Sequence, residues 1–289
     1  MNKLLEINKL SLSIVKKKGS ISILKEISIT LEENSIVGIV GQSGSGKSML
    51  AKSILSLHPL GTSLKMEGSV TFEGKNLHTM KAKHLRSVRG KEIAMIFQNP
   101  MSCLNPTLKI IHQMEEIVLT HYPKYPKKLL QKQILESFIS VGINNPKERL
   151  LQYPHELSGG MQQRVMIAMM MLLNPKVLIA DEPTTALDVT VQAQILKLLK
   201  RLQKTTQLSI LFITHDLLLA HWLCDTIYVM KEGSIVEKGS TDQIFNHPKH
   251  PYTQKLIQAL PVSGIMPSPL FSPGEGFKDR EKESSKSLV

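Results

Sequence analysis

SIVGIVGQSGSGKSMLAKSIL, residues 35–55, holds an apolar run, a glycine-rich turn and a helix-like segment in that order. The turn, Gly41 to Ser48, fits the pattern G-x-x-x-x-G-K-[ST], and its setting between strand and helix is the one that gives the pattern meaning. Gly41, Gln42, Ser43, Gly44, Ser45 and Gly46 offer backbone N–H groups to phosphate oxygens. Lys47 brings a cation to the β- and γ-phosphates, and the Ser48 hydroxyl is a ligand for Mg²⁺. The spacing therefore predicts a site for ATP with Mg²⁺, with a strand ending near Val40 and a helix over about Lys47–Leu57.

Outward from this loop, further apolar strands end in polar residues. KVLIADEP (176–183) ends in two carboxylates. Asp181 is placed to hold Mg²⁺, and Glu182 to polarise an attacking water. IAMIF (93–97) runs into Gln98, and LSILFIT (208–214) runs into His215. Both follow predicted strands, on the edge where open α/β sheets bind ligands. TIYVM (226–230) and SIVEKG extend the series. Strands alternating with helices imply a parallel sheet covered by helices.

Two stretches interrupt that alternation. Residues 4–40 read as short alternating strands with a turn near Lys18 and Gly19. From about Thr107 to Met171 the signals are helical, broken by YPKYPKK (122–128) and NNPKE (144–148). The expected fold is α/β: a P-loop NTPase-type parallel sheet core, an N-terminal antiparallel β subdomain and an inserted helical subdomain at about 100–172. The ATPase domain is expected over 4–261, with a short closing helix inside 247–261. The Pro-, Ser- and charge-rich residues 262–289 are expected to form a flexible tail.

A second candidate phosphate grip lies far from the first. LSGGMQQRVMIAMMM (157–171) places Ser158, Gly159 and Gly160 at the start of an apolar helix. Backbone N–H groups and the helix dipole favour an anion there. The methionines that follow, Met166, Met169, Met170 and Met171, read as core packing.

The composition, 42% hydrophobic and 21% charged over 289 residues, fits a globular chain with a full core. The longest apolar run, Val165 to Leu173, is too short for a bilayer, which needs about 20 residues. No signal-peptide h-region opens the chain, so it is expected to stay cytosolic. Cys103 and Cys224 form no CxxC or Cys/His pattern, so neither a disulfide framework nor a zinc site is indicated. The net charge of +12 comes from scattered lysines and reads as a solvated surface.

GQSGSGKS, Gln98, LSGGMQQR, VLIADEP, ALD (186–188) and His215 occur in the order and spacing of the ABC-transporter ATPase cassette, which the chain resembles over about residues 4–260. The run HELSGGMQQRVMIAMMMLLNPKVLIADEPTTALDVTVQAQI and the closing HPYTQKLIQALP look in particular like the ATPase subunits of dipeptide, oligopeptide and nickel importers. The resemblance implies half-sites that close head to tail. Ser158, Gly159 and Gly160 would then face the γ-phosphate held by a partner's loop. It also implies that Asp188 lies at the dimer seam and that His215 reaches the γ-phosphate and attacking water. Gln98 would join Ser48 and Asp181 as a metal ligand.

The partners so implied are a second cassette (a copy or a paralogue), two membrane-spanning permease subunits touched by the helical subdomain, and, indirectly, an external substrate-binding protein. The location implied is the cytoplasmic face of the cell inner membrane, as a peripheral subunit. No nucleic acid is expected. Three departures stand out. The aromatic that supports adenine in the family is replaced, by counting back from the loop, with Ile14. The signature reads LSGGM rather than LSGGQ. No cysteine follows Cys224, so the iron–sulfur extension of some peptide-type subunits is not expected. Rival readings are a soluble ABC-type ATPase working on nucleic acid or ribosomes, a P-loop kinase, and a regulatory nucleotide-binding module. The first usually has two fused cassettes or a coiled coil. The second needs no LSGGM, and intact Lys47, Asp181 and Glu182 argue against the third.

Overall fold

The computed structural model describes residues 2–16, 19–58, 61, 63–98, 103–185 and 187–260. At its centre β3 (Ile36–Val40) is buried at every position. It lies in a six-stranded sheet of order β10-β9-β3-β8-β7-β6. The other members are β6 (Ile93–Ile96), β7 (Val177–Asp181), β8 (Ser209–Thr214), β9 (Thr226–Lys231) and β10 (Ser234–Ser240). β6, β7, β8, β3 and β9 pair in parallel, and β10 turns back antiparallel on β9.

Period-2 alternation divides these strands between two cores. Ile36, Val40, Leu178, Ala180, Ile210 and Phe212 face one core, built with Val165, Met166 and Leu199 from helices. Val37, Ile39, Val177, Ile179, Leu211 and Ile213 face the other, built with Leu12, Leu24 and Leu50. Both faces being covered explains why the strands read as continuous apolar runs. All five parallel strands end at one edge, and the residues just beyond those ends are Phe97, Glu182, His215, Gly41 and Glu232.

The N-terminal region differs from its expected form. Two 14-residue strands, β1 (Lys3–Lys16) and β2 (Gly19–Glu32), replace several short ones. With β4 (Leu64–Phe72) and β5 (Lys75–Asn76) they make an antiparallel sheet of order β2-β1-β4-β5. Register shifts interrupt the β1–β2 ladder, and Lys9 and Glu26 take left-handed φ values of 45° and 47°. The Lys9 and Glu26 N–H groups are satisfied by the Ser28 and Ser11 hydroxyls at 3.1 and 3.0 Å. Such bulges break the alternation without ending the strand, so each polar interruption looks like a boundary in sequence.

Helix α1 (Lys47–Ile54) follows the glycine loop and stops three residues before the expected Leu57. Ser56 turns to φ 51°, and the Arg89 guanidinium takes the carbonyls of Leu55 and Ser56. Helix α2 (Ala82–Val88) precedes β6. Between β6 and β7 the described residues form helices and no strand: α3 (Ile110–His121), α4 (Lys127–Ser140), α5 (Pro146–Arg149) and α6 (Gly159–Met171). Met166, Met169 and Met171 of α6 are buried in the core, and Met170 is half-buried against it. The chain continues through α7 (Val189–Thr206), α8 (Leu217–Leu223), α9 (Thr241–Asn246) and α10 (Pro251–Gln258). The tail expected at 262–289 lies outside the described residues. Among the described residues no helix is long and apolar enough to cross a membrane.

Candidate active site

The glycine loop wraps the start of α1. Gly46 caps that helix at φ 103°, and a side chain at Gly41 would lie 2.1 Å from the Met230 carbonyl oxygen. Neither position accepts a larger residue without distortion. Lys47 is only 4% exposed, and its ammonium donates to the Gly41 and Gln42 carbonyls at 2.7 and 3.0 Å. Burial lowers its pKa, against the pull of Glu182 and Asp181. The Ser45 hydroxyl is buried within the loop without a hydrogen-bond partner, while Gln42, Ser43 and Gly44 face solvent.

Two carboxylates from the end of β7 meet this loop. Asp181 is 2% exposed and accepts a hydrogen bond from the Ser48 hydroxyl at 3.1 Å. Burial raises its pKa, the Ser48 bond opposes the rise, and the neighbouring Glu182 charge adds to it. A buried oxygen donor beside a hydroxyl is the donor chemistry that Mg²⁺ prefers. Glu182 turns to φ 47°, a left-handed geometry rare outside glycine, and its N–H is held by the Ile213 carbonyl at 2.9 Å.

Three side chains hold the Glu182 carboxylate. Gln98 Nε2 and Thr185 Oγ1 each donate to Oε2 at 2.9 Å, and His215 Nδ1 lies 3.2 Å from Oε1. Burial pushes the Glu182 pKa up. The hydrogen bonds from His215 and Thr185, with the charges of His215 and Lys47, outweigh it and leave the pKa below its usual value. An ionised carboxylate so placed has the character of a general base.

Ser158, Gly159, Gly160 and Asp188 gather elsewhere. Ser158 caps α6, its hydroxyl accepting from the Met161 N–H at 3.4 Å. Asp188 caps α7 through the Val191 N–H at 2.9 Å. Both line an open depression of about 340 Å³ with Gly159, Gly160, Arg164 and Gln194. None of Lys47, Ser48, Asp181 or Glu182 lines it. A side chain at Gly160 would come within 2.8 Å of Val191 Cγ1. A larger cavity, about 680 Å³, lies at the other end of β3. Its polar groups satisfy the protein itself: Asp225 accepts from the Ile36 N–H, and Gln203 donates to the Asn34 carbonyl. Chemistry therefore favours the glycine-loop site and the Ser158 depression over this cavity.

Ile14 lies in β1, paired with Ile21 of β2 and Leu64 of β4, and is half-buried. It makes no hydrogen-bonded connection to the glycine loop. From the antiparallel sheet that holds Ile14, Leu24 approaches that loop, its Cδ2 standing 3.2 Å from where a Gly46 side chain would begin.

A family model described as ABC transporter matches residues 24–185. The chain belongs to the ABC transporter family. A second model, oligopeptide/dipeptide transporter C-terminal region, matches residues 236–266 of this ABC chain. The oligopeptide transport ATP-binding protein OppD of Bacillus subtilis is 46% identical over 91% of this chain and 73% of its own length. The dipeptide transport ATP-binding protein DppD of the same organism is 42% identical over 96% and 85%. Among solved structures, the ATP-binding cassette MJ0796, in a dimeric post-hydrolysis state bound to ADP and Pi, matches with TM-score 0.72 and 26% identity. That match covers 82% of this chain and 99% of MJ0796. The ABC transporter component cbiO1 of Clostridium perfringens matches with TM-score 0.72 and 27% identity over 92% and 98%. The fold is that of an ABC ATPase cassette, and the chain is an ATPase.

Two contacts of this ABC cassette were assigned no role from the sequence. Thr185 lies between Glu182 and Asp188, which alone in that stretch were given roles, and Tyr252 lies in HPYTQKLIQALP, which carried the subfamily resemblance but no chemistry. Spacing alone does not say which hydroxyl points where.

Proposed function

We propose that this chain is the ATP-hydrolysing subunit of an importer of di- or oligopeptides, working as one of a head-to-tail pair of cassettes. The observation that carries the reading is the Glu182 carboxylate, buried and held by Gln98, Thr185 and His215 beside Lys47. The loop from Gly41 to Ser48 binds the triphosphate: two N–H groups of the Lys47 ammonium hold the Gly41 and Gln42 carbonyls, and its third donates to phosphate oxygen. Ser48, Asp181 and Gln98 would hold Mg²⁺; with its amide nitrogen on Glu182, Gln98 has its oxygen as the end for a cation. Bound there, the metal would neutralise phosphate charge. Glu182 takes the proton of the attacking water, and His215 orients that water and the γ-phosphate.

The Ser158, Gly159 and Gly160 helix start and Asp188 serve a nucleotide held by the other cassette. Their separation from Lys47 within one chain supports a grip in trans. The helical stretch at about 100–172 meets two membrane-spanning permease subunits, and an external binding protein delivers cargo to those. The chain is thus peripheral, on the cytoplasmic side of the inner membrane. The names of the relatives, oligopeptide and dipeptide transport proteins, support peptide cargo. No observation favours nickel, or nucleic acid as the target of the ATPase.

The test is reconstitution. The cassette is purified with the permease subunits that co-purify with it, placed in vesicles with the binding protein outside, and supplied with ATP inside. Peptide-dependent ATP turnover with labelled-peptide uptake is expected. Turnover that ignores every peptide but responds to nickel or to RNA would replace this reading.

A further inference from the structure

The chemistry above leaves one motif unused, His250-Pro251-Tyr252. We propose that Tyr252 is a positioning residue for the nucleotide loop, its hydroxyl pinning the peptide plane between Gly41 and Gln42 whose carbonyl holds Lys47. The proposal rests on the reading of that loop as the ATP site.

The Gln42 N–H donates to the Tyr252 hydroxyl at 3.2 Å, across 210 positions of sequence. The Gly41 carbonyl belongs to the same peptide plane and accepts from Lys47 Nζ at 2.7 Å. A trans peptide is rigid, with its N–H and C=O on opposite edges. Fixing one edge with Tyr252 therefore fixes the direction in which the other presents its oxygen to Lys47. The plane is also wedged from the side, since Gly41 packs against the Met230 carbonyl at the end of β9. The next residue, Lys231, sets its ammonium 5.4 Å from the centre of the Tyr252 ring. Strand end, loop start and tyrosine thus form one packed unit.

The rest of the motif holds the tyrosine in place. Glu237 of β10 accepts from the Lys249 and His250 N–H groups at 2.7 and 3.0 Å. His250 caps α10, its Nδ1 accepting from the Tyr252 N–H at 3.1 Å, and Pro251 occupies the first helical turn. Thr253 is fully buried beneath. A line of contacts therefore runs from Glu237 through His250 and Tyr252 to the peptide that carries Lys47. The carboxy-terminal region reaches the phosphate loop directly.

The experiment uses the full chain. Wild-type ATP binding is measured first by calorimetry; its absence would defeat the nucleotide-site reading itself. Tyr252→Phe keeps the ring and its contact with Lys231 and removes only the hydroxyl. Loss of one hydrogen bond should weaken ATP affinity about three- to tenfold. The expected kcat at saturating ATP stays within about twofold, and hydrogen exchange at the Gln42 amide accelerates. A merely structural role would instead lower melting temperature and kcat together and leave that amide unchanged. His250→Ala provides a second route, since it loosens the tyrosine without touching it. If both act through one contact, the double variant binds ATP no more weakly than Tyr252→Phe alone. ATP affinity within twofold of wild type in Tyr252→Phe, or additive losses in the double variant, overturns the proposal.

Discussion

The Nδ1 atom of His215 lies 3.2 Å from Oε1 of Glu182, while Oε2 of the same carboxylate accepts two further hydrogen bonds. Oε1 therefore has one side-chain partner and keeps a second acceptor site for the attacking water. Catalytic hydrogen bonds that form fully only in the loaded complex are common. Glu182→Gln keeps the shape of this knot and removes the charge. ATP binding is expected to survive, turnover to fall by about 100-fold or more, and ATP-stabilised dimers to accumulate. Hydrolysis assays with gel filtration in ATP and Mg²⁺ measure both, and turnover within a few-fold of wild type would move the base elsewhere.

Thr185 gives a finer test of the same group. Its hydroxyl is the one donor to Glu182 that comes from the segment leading to Asp188. Thr185→Val preserves the branched shape and removes the donor. Since a hydrogen bond to a charged group contributes about 1.5–3 kcal/mol, kcat should fall at least several-fold. KM for ATP should change little, because no proposed phosphate contact involves Thr185. Thr185→Ser should restore kcat. A valine variant with wild-type kcat would reduce Thr185 to a packing residue.

The second depression invites a substitution with the opposite signature. Ser158 and Gly160 stand at the amino end of α6, where an arginine opposes the helix dipole and fills the space beside Asp188. Ser158→Arg is expected to leave ATP affinity of the isolated chain within about twofold and to stop cooperative hydrolysis. Calorimetry on dilute protein separates these quantities from turnover at high concentration. Lost ATP binding in the monomer would place the grip in cis.

Much of this arrangement was legible in the sequence because it depends on backbone ends. Gly41, Asp181 and His215 mark the carboxyl ends of fully buried strands, and such strands announce themselves as apolar runs with abrupt polar stops. The length of β1 and β2 was not legible. Bulges at Lys9 and Glu26 cost the pattern its alternation, although the ladder resumes beyond them. Thr185 and Tyr252 were hidden for another reason. Each acts through a single hydroxyl whose partner lies in a different segment, and sequence order carries no record of that aim.

Ile14 is where the reading of the sequence and the geometry can be set against each other. In β1, Leu12 is buried and pairs with Leu24, the residue whose side chain approaches Gly46 of the nucleotide loop. From Ser11 to Ile14 the pairing of β1 with β4 runs without a shift, so Ile14 shares the face of Leu12. Two strand residues span about 6.8 Å, the distance along β1 from that core contact to Ile14. If Ile14 supports adenine, it offers an apolar shelf and no ring to stack on. Phosphate contacts from Gly41 to Ser48 are blind to the base and should then dominate affinity. The cassette is therefore expected to bind ATP and GTP within a few-fold of each other. In Ile14→Tyr the ring has room, since the neighbours Ile21 and Leu64 are aliphatic and Ile21 is 47% exposed. Base stacking on an aromatic contributes about 1–3 kcal/mol, so ATP affinity should rise at least fivefold with the melting temperature almost unchanged. Calorimetry with both nucleotides and a thermal melt without nucleotide test the two halves. A stable Ile14→Tyr variant with unimproved ATP affinity would remove Ile14 from the adenine site.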